Sequence, residues 1–202
     1  MLDRAATALL RPVLGRVAAV LVNSGVRADA VTVTGFALGL LAAGAIALQR
    51  PLWGLALILA SRLMDGLDGA VARLTEPTDR GAFLDITLDF LFYAAVPLAF
   101  ALADPAANAL PAAVLLAAFI GTGSSFLAFS IFAERRSLKS RAFAHKGIYY
   151  LGGLTEATET LICFALMCLW PGQFALLAYT FAALCGITLI TRIVGAYIAL
   201  RV

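Results

Sequence analysis

The chain has 202 residues, of which 62% are hydrophobic and only 13% are charged. Soluble domains are about 45–50% apolar and about 25% charged. The composition therefore excludes a disordered chain, a soluble globular enzyme and a nucleic-acid-binding module, and the net charge of +3 is too small to indicate polyanion binding. We expect one all-α polytopic membrane domain over residues 1–202, because hydrocarbon accepts only helices or closed barrels and the long apolar runs exclude a barrel.

The predicted elements, in chain order, are one mixed N-terminal segment and six long apolar runs. Residues 1–28 combine leucine and valine with arginine, and Pro12 interrupts them, which is typical of an interfacial amphipathic helix whose arginines reach lipid headgroups. Residues 30–200 are predicted to form a six-helix transmembrane bundle, because each run is close to the roughly 20 residues that a bilayer core requires. The six expected spans cover residues 30–48, 52–74, 81–102, 110–133, 148–169 and 173–200.

The basic residues indicate how the spans are oriented. Six spans place both termini on one side, and that side also holds the loops near residues 74–80 and 134–147. These loops and the two terminal segments carry most of the arginines and lysines, whereas the opposite loops carry only Arg50. The positive-inside rule therefore predicts a multi-pass protein of the cell (inner) membrane with both termini in the cytoplasm.

Four aspartates lie near the turn between the second and third spans. Asp65 and Asp68 are three residues apart and share a helix face, and Asp85 and Asp89, four apart, share another. A short loop makes the two helices antiparallel neighbours, so all four carboxylates can converge at one depth. Four buried like charges would protonate or require cations, and an all-oxygen ligand set suits Mg²⁺ or Mn²⁺. Arg62, one turn before Asp65, is expected to balance part of this charge.

Small residues and an arginine beside the aspartates predict a site for a phosphate-bearing ligand. Gly69 has no side chain, so a ligand can approach the backbone next to it, and Ala72 keeps the helix surface low one turn later. Arg73 lies on the same face as Gly69 and offers a fork of hydrogen-bond donors to a phosphate. Gly81 lies where the third span begins, and the amides of a helix N-terminus favour anions. The set predicts a metal and diphosphate site that opens to the cytoplasm.

The same residues resemble a known signature. The stretch Asp65-x2-Asp68-Gly69-x2-Ala72-Arg73-x7-Gly81-x3-Asp85-x3-Asp89 is similar to that of the CDP-alcohol phosphatidyltransferases. It fixes eight residues over 25 positions, and the whole chain resembles the family in having an interfacial helix followed by six spans. One departure falls in the loop, where seven residues separate the arginine from the second glycine and many members have eight. That departure affects the contacts of the loop and leaves the carboxylate cluster unchanged.

The resemblance implies a reaction and a set of roles. Members transfer a substituted phosphate from a CDP-linked donor to an alcohol and release CMP, and they are commonly homodimers. The implied donor is CDP-diacylglycerol and the acceptor a small polar alcohol; the alternative is a CDP-amino alcohol that donates to diacylglycerol. The implied metal is Mg²⁺ or Mn²⁺, as two ions held by Asp65, Asp68 and Asp85, with Asp89 shared between metal ligation and general-base catalysis. The residues that would surround the cytidine diphosphate are Gly69, Ala72, Arg73 and Gly81.

Charged residues of the later spans are candidate contacts for the acceptor. Glu156 and Glu159 lie near the start of the fifth span, and Arg192 lies inside the sixth. Intramembrane charges are costly and usually face an interior cavity, so these side chains, together with Lys146, could bind hydroxyl or phosphate groups of an acceptor. The alternative is that the glutamates form ion pairs inside the bundle, and that Arg192 extends to the cytoplasmic surface.

Two other functions are disfavoured by the same pattern. An intramembrane prenyltransferase also binds diphosphate through Mg²⁺, but it would require a second aspartate-rich motif, and the later spans offer only Glu156 and Glu159. A small ion transporter would distribute polar residues across the bilayer and break its helices at the midplane. Here the polar residues gather towards one face.

Overall fold

A computed structural model of the chain describes residues 2–136 and 154–201, with side chains from residue 11 onward, and these ranges are helical apart from short connections. In chain order the helices are α1 (Leu2–Asn23), α2 (Ala28–Ala47), α3 (Pro51–Leu74), α4 (Asp79–Ala103), α5 (Pro105–Arg135), α6 (Ala157–Leu169) and α7 (Phe174–Ala199), with a 3₁₀ turn at Pro171–Gln173 before α7. The described residues contain no strand. The all-helical prediction is confirmed.

The helices differ in how well they suit a bilayer. Within the described ranges, α2, α4, α5 and α7 with its preceding turn are long and apolar enough to cross a membrane. Helix α6 is apolar but has 13 described residues, and α3 has 24 residues but carries the charged residues of the predicted site. The count of six spans therefore stays a prediction.

The observed helix ends follow local capping chemistry. Helix α5 begins at Pro105, five residues before the predicted start, because proline suits the first helical position and Asp104 accepts a hydrogen bond from the Ala107 amide at 3.2 Å. Helix α4 begins at Asp79, where Thr78 serves as the N-cap. The fifth predicted span was placed at 148–169, but its described helix begins at Ala157, and residues 148–153 lie outside the described part of the chain.

Close helix contacts place α2 beside the predicted site. A side chain at Gly35 would lie 2.9 Å from the Cβ atom of Met64 on α3, and one at Gly39 would overlap the ring of Phe92 on α4. The missing side chains let the backbones approach, and the buried Ser61 hydroxyl donates to the Gly35 carbonyl at 2.7 Å. Helices α2, α3 and α4 therefore form one tightly packed unit at the level of the first aspartate.

Two apolar clusters surround this unit. The larger one is centred on buried aromatic side chains such as Phe92, Phe164 and Phe174, with Phe92 and Phe164 in edge-to-face contact at 6.3 Å between ring centroids. The smaller one joins Ala18 of α1 to Leu67 of α3. The N-terminal helix therefore packs against α3, the helix that carries Asp65 and Asp68.

Candidate active site

The four predicted aspartates line one small cavity between α2, α3 and α4. The cavity has a volume of about 10 Å³, close to the space that one water molecule or one small ion requires. It is lined by Thr32, Gly35, Phe36, Arg62, Asp65, Asp68, Asp85, Leu88 and Asp89. The structure thus brings the four carboxylates together, and their assignment as metal ligands stays a prediction.

Three of the carboxylates are close enough to share a cation. One oxygen from each of Asp65, Asp85 and Asp89 lies within 4.8 Å of the others, and all three residues are half-buried. Asp68 is not in that group; it is only 5% exposed, and its Oδ2 atom is buried with no hydrogen-bond partner among the described residues. A buried carboxylate oxygen without a donor is costly unless a cation or a ligand compensates it. The donor set therefore fits a hard divalent cation.

A buried arginine adjoins the aspartates, as its position one turn before Asp65 predicts. The Nη1 atom of Arg62 donates to the Oδ1 atom of Asp89 at 2.5 Å and to the Oδ1 atom of Asp65 at 3.4 Å. Its guanidinium carbon lies 3.9 Å from the centroid of the Phe92 ring, and its Nη2 atom donates to the Ser61 hydroxyl at 3.2 Å. The expectation that Arg62 balances the carboxylates is confirmed by these contacts.

The predicted nucleotide-binding residues lie at the exposed ends of α3 and α4. Arg73 is exposed, and a side chain at Gly69 would lie 3.3 Å from its Nη1 atom, so the arginine extends along the glycine face of α3. Ala72 lies half-buried on the last turns of the same helix. Gly81 lies in the first turn of α4, where its amide already donates to the Thr78 hydroxyl at 3.1 Å. That amide is therefore part of the N-terminal cap of α4. The start of this helix was predicted at residue 81, and the cap was therefore not predicted.

An ion pair between α2 and α4 was not predicted from the sequence. Arg27 holds the N-cap position of α2, and Asp29 lies in the first helical turn. Its carboxylate accepts from Arg80 at 2.5 Å and lies 3.7 Å from Arg27. A side chain at Gly81 would come within 3.3 Å of the same carboxylate. Nothing in the spacing of Asp29 and Arg80, 51 residues apart, indicates the pair.

The two candidate acceptor glutamates have a local structural role. Glu156 is the N-cap of α6, and Glu159 accepts a hydrogen bond from the Glu156 amide at 3.1 Å, which completes a capping box. Neither glutamate lines the cavity of the four aspartates. Lys146, the fourth acceptor candidate, lies outside the described residues.

Arg192 is held between α7 and α5. The residue is 6% exposed, and its Nη1 atom donates to the Thr122 carbonyl at 2.6 Å and lies 3.5 Å from the Ser125 hydroxyl. A largely apolar cavity of about 290 Å³ adjoins it. That cavity is lined by Ser125, Ala128, Phe129, Phe132, Arg192, Ile193, Ala196, Tyr197 and Leu200. One of the two placements predicted for Arg192 was extension to the cytoplasmic surface, and the buried side chain does not adopt it.

Comparison with known proteins finds one family across most of the chain. A sequence model of the CDP-alcohol phosphatidyltransferases matches residues 26–195. The inner membrane protein YnjF of Escherichia coli K12 is 51% identical over 201 residues, which cover 100% of this chain and 98% of that protein. The archaetidylinositol phosphate synthase of Methanothermobacter thermautotrophicus is 48% identical over 65 residues, or 32% of this chain and 33% of the synthase.

Solved structures show the same fold. A crystal structure of phosphatidylinositol phosphate synthase (PgsA1) from Mycobacterium tuberculosis with CDP-DAG bound superposes with a TM-score of 0.68 at 23% identity, covering 92% of this chain and 94% of that one. The same enzyme in complex with manganese and citrate gives a TM-score of 0.69 at 22% identity, covering 91% and 88%. The likeness extends over nearly the whole of both chains.

Proposed function

The chain belongs to the CDP-alcohol phosphatidyltransferase family and is a CDP-alcohol phosphotransferase, and from that premise we propose that it transfers a phosphatidyl group from CDP-diacylglycerol to a small polar alcohol and releases CMP. The observation that carries the proposal is the convergence of the four signature aspartates on one cavity, with a buried oxygen of Asp68 that lacks a donor among the described residues. The synthase crystallised with CDP-DAG supports this donor.

The proposed cofactor is Mg²⁺ or Mn²⁺, as two ions held by Asp65, Asp68, Asp85 and Asp89. When bound, divalent metal would neutralise charge on the diphosphate and on the departing CMP. The manganese complex of the mycobacterial synthase supports a metal of this class. The oxygen-only donor set and the buried Asp68 carboxylate of this chain fit such an ion.

The chain's own residues would then perform binding and proton transfer. Arg73 donates to the phosphates, and Gly69 leaves room for the nucleotide beside α3. Asp89 accepts the proton of the acceptor hydroxyl as that oxygen forms a bond to the phosphorus that carries the diacylglycerol group. The bond from that phosphorus to the bridging oxygen breaks, and CMP leaves with the electron pair. Gly81 and Ala72 complete the proposed nucleotide contacts.

The acceptor is proposed to bind towards α6 and α7. Arg192 is the best-supported contact, because it is a buried cation beside a cavity of about 290 Å³ and can bind a phosphate-bearing alcohol. Lys146 is proposed to assist it. Glu156 and Glu159 remain candidates for binding hydroxyl groups, although their carboxylates also cap α6. The archaeal relative, a synthase of a phosphorylated inositol lipid by name, supports a phosphate-bearing acceptor.

The proposed setting is the inner membrane, which the bacterial relative's name and the apolar helices support. We assign six spans to α2–α7 and place both termini in the cytoplasm on the distribution of basic residues. The aspartates lie near the α3–α4 connection, so the site would open to the cytoplasm and would release CMP on that side. A homodimer is proposed by analogy with the family alone.

One assay tests the function. The purified full-length protein in lipid nanodiscs is incubated with CDP-diacylglycerol, Mg²⁺ or Mn²⁺, and single acceptors: glycerol phosphate, serine, inositol and inositol phosphate. We expect CMP release and a new phospholipid with one acceptor, identified by its mass, and neither with Asp85→Asn. If only a CDP-amino alcohol with diacylglycerol gives product, the alternative donor arrangement is correct. If no CDP-linked donor reacts with any acceptor, the proposed function is wrong.

A further inference from the structure

An arginine outside the signature motif lies at the edge of the carboxylate cluster. We propose that Arg62 is a positioning residue: a permanent counter-cation that holds Asp89 in place and lowers the affinity of the site for divalent metal. The inference rests on the proposed function, because it assumes that the aspartates bind metal.

Besides its two contacts with carboxylates, the guanidinium is fixed by an aromatic ring and a hydroxyl group. The Arg62 side chain is 11% exposed and stacks at 3.9 Å on the ring of Phe92, which is fully buried. Its Nη2 atom donates to Ser61, whose hydroxyl in turn donates to the Gly35 carbonyl on α2. An arginine remains charged at any accessible pH. The positive charge therefore stays beside the cluster whether or not a metal ion is present.

The guanidinium contacts both Asp65 and Asp89. The family resemblance gives these aspartates different roles: Asp65 as a metal ligand, and Asp89 as a metal ligand that also serves as the general base. One nitrogen, Nη1, contacts Oδ1 of Asp89 at 2.5 Å and Oδ1 of Asp65 at 3.4 Å. One oxygen of Asp89 is thus committed to Arg62, which leaves the other for a proton or a cation. An arginine that only stabilised helix packing would not have to contact the residue proposed as the base.

The positive charge of Arg62 should stabilise the metal-free protein and weaken metal binding. Without metal, three carboxylates whose oxygens lie within 4.8 Å of one another repel, and Arg62 offsets that repulsion. With metal bound, the same charge repels the ion at short range. Removing the charge should therefore destabilise the metal-free protein and at the same time strengthen metal binding, a combination that a packing role does not produce.

The experiment uses the full-length protein and Mn²⁺ alone as the probe. Wild type, Arg62→Met, Arg62→Lys and the control Arg27→Met, an exposed arginine near the start of α2, are compared. Mn²⁺ affinity is measured from the free-ion electron paramagnetic resonance signal, and Tm is measured in EDTA and in saturating Mn²⁺. We expect Arg62→Met to bind Mn²⁺ at least about tenfold more tightly. Its Tm should fall by about 5 °C or more in EDTA, and Mn²⁺ should restore most of the loss.

The other variants separate charge from packing. Arg62→Lys keeps the charge and should resemble wild type in Mn²⁺ affinity, as should Arg27→Met. If Arg62→Met does not fold, Arg62→Gln takes its place, because glutamine keeps a donor for Asp89 but loses the charge. It should also bind Mn²⁺ more tightly.

Three results would overturn the proposal. Unchanged Mn²⁺ affinity in the neutral variant, with an equal loss of Tm with and without metal, would leave Arg62 a packing role only. Weaker Mn²⁺ binding in the neutral variant would show that the arginine assists metal binding instead of opposing it. Absence of Mn²⁺ binding in wild type would overturn both this proposal and the metal site of the proposed function.

Discussion

Two polar regions of the same bundle differ in how their charges are arranged. On α3 and α4, aspartates from two helices converge on one cavity, and three of them place oxygens within 4.8 Å of one another. On α6 and α7, each charge has contacts near its own position: Glu159 bonds to the Glu156 amide, and Arg192 bonds to the Thr122 carbonyl on α5. Like charges gathered together indicate a ligand, whereas charges with nearby neutral partners can serve the fold.

The contrast has a covalent origin. Only four residues separate α3 from α4, so the two helices run in opposite directions, and both pack against α2. Residues at equal distance from that connection then lie at the same depth, and α2 holds the two helices around one cavity. The first backbone amides of α6, as of any helix, have no carbonyl partner within the helix, and a carboxylate at the N-terminus satisfies them wherever the helix lies. The first arrangement depends on three helices, the second on one.

The largest expected effect is on the α3–α4 region. Removing metal with EDTA should abolish CMP release, and Mg²⁺ or Mn²⁺ should restore it, because four carboxylates and a diphosphate cannot share the site without cations. Asp85→Asn should be inactive at any metal concentration. Asp79→Asn, which changes an exposed aspartate at the start of the same helix, is the control and should keep its activity. Undiminished turnover after dialysis against EDTA would show that the aspartates of α3 and α4 do not hold an essential metal, and they would then no longer differ in this way from the charges of α6 and α7.

A second experiment divides the aspartates by role. Asp89→Asn should lower kcat by roughly 10²–10⁴-fold while CDP-donor binding stays nearly normal, because the amide cannot accept the proton of the attacking hydroxyl. Asp65→Asn should lose both turnover and affinity for metal and donor. Donor binding is measured by equilibrium titration and turnover by CMP release. Equal loss of donor binding in both variants would contradict the division of roles but not the cluster.

These two regions also show how much could be predicted from the sequence. Helix content and the meeting of the aspartates followed from apolar run length and from spacing around a short connection. The contact of Arg62 with the cluster followed from its position one turn before Asp65. All three depend on distances along the chain, which the sequence states directly.

The features that were missed depend on distances through space. Asp29 and Arg80 pair across 51 residues, and their partnership requires knowing that α2 packs beside the start of α4. The local role of Glu156 was missed because the fifth span was predicted to begin at residue 148, which would have placed the glutamates inside a helix. The described helix begins immediately after Glu156, so the same residue becomes a cap.

A smaller effect is expected on the α5–α7 side. Arg192→Met should raise KM for a phosphate-bearing acceptor by about tenfold and leave donor affinity within a few-fold, as loss of a uniform binding contact does. Arg136→Met is the matched control, because that exposed arginine bonds to the Leu200 carbonyl at 2.7 Å near the same cavity. Steady-state kinetics at saturating donor measure the change. Full activity of Arg192→Met with every acceptor that works would exclude phosphate recognition by this residue.

The smallest expected effect concerns the glutamates of α6 and decides whether that region serves the fold or the acceptor. Glu159→Ala removes the acceptor for the Glu156 amide, and loss of a cap of this kind should lower Tm by about 2–4 °C. If the carboxylate serves the helix cap alone, acceptor KM should stay within about twofold, because the substitution then removes no contact with the acceptor. Glu159→Gln keeps a side-chain oxygen for the cap and should retain most of the stability. The opposite pattern, an unchanged Tm with a raised acceptor KM in both variants, would move Glu159 from the helix cap to the acceptor site and make the two regions alike.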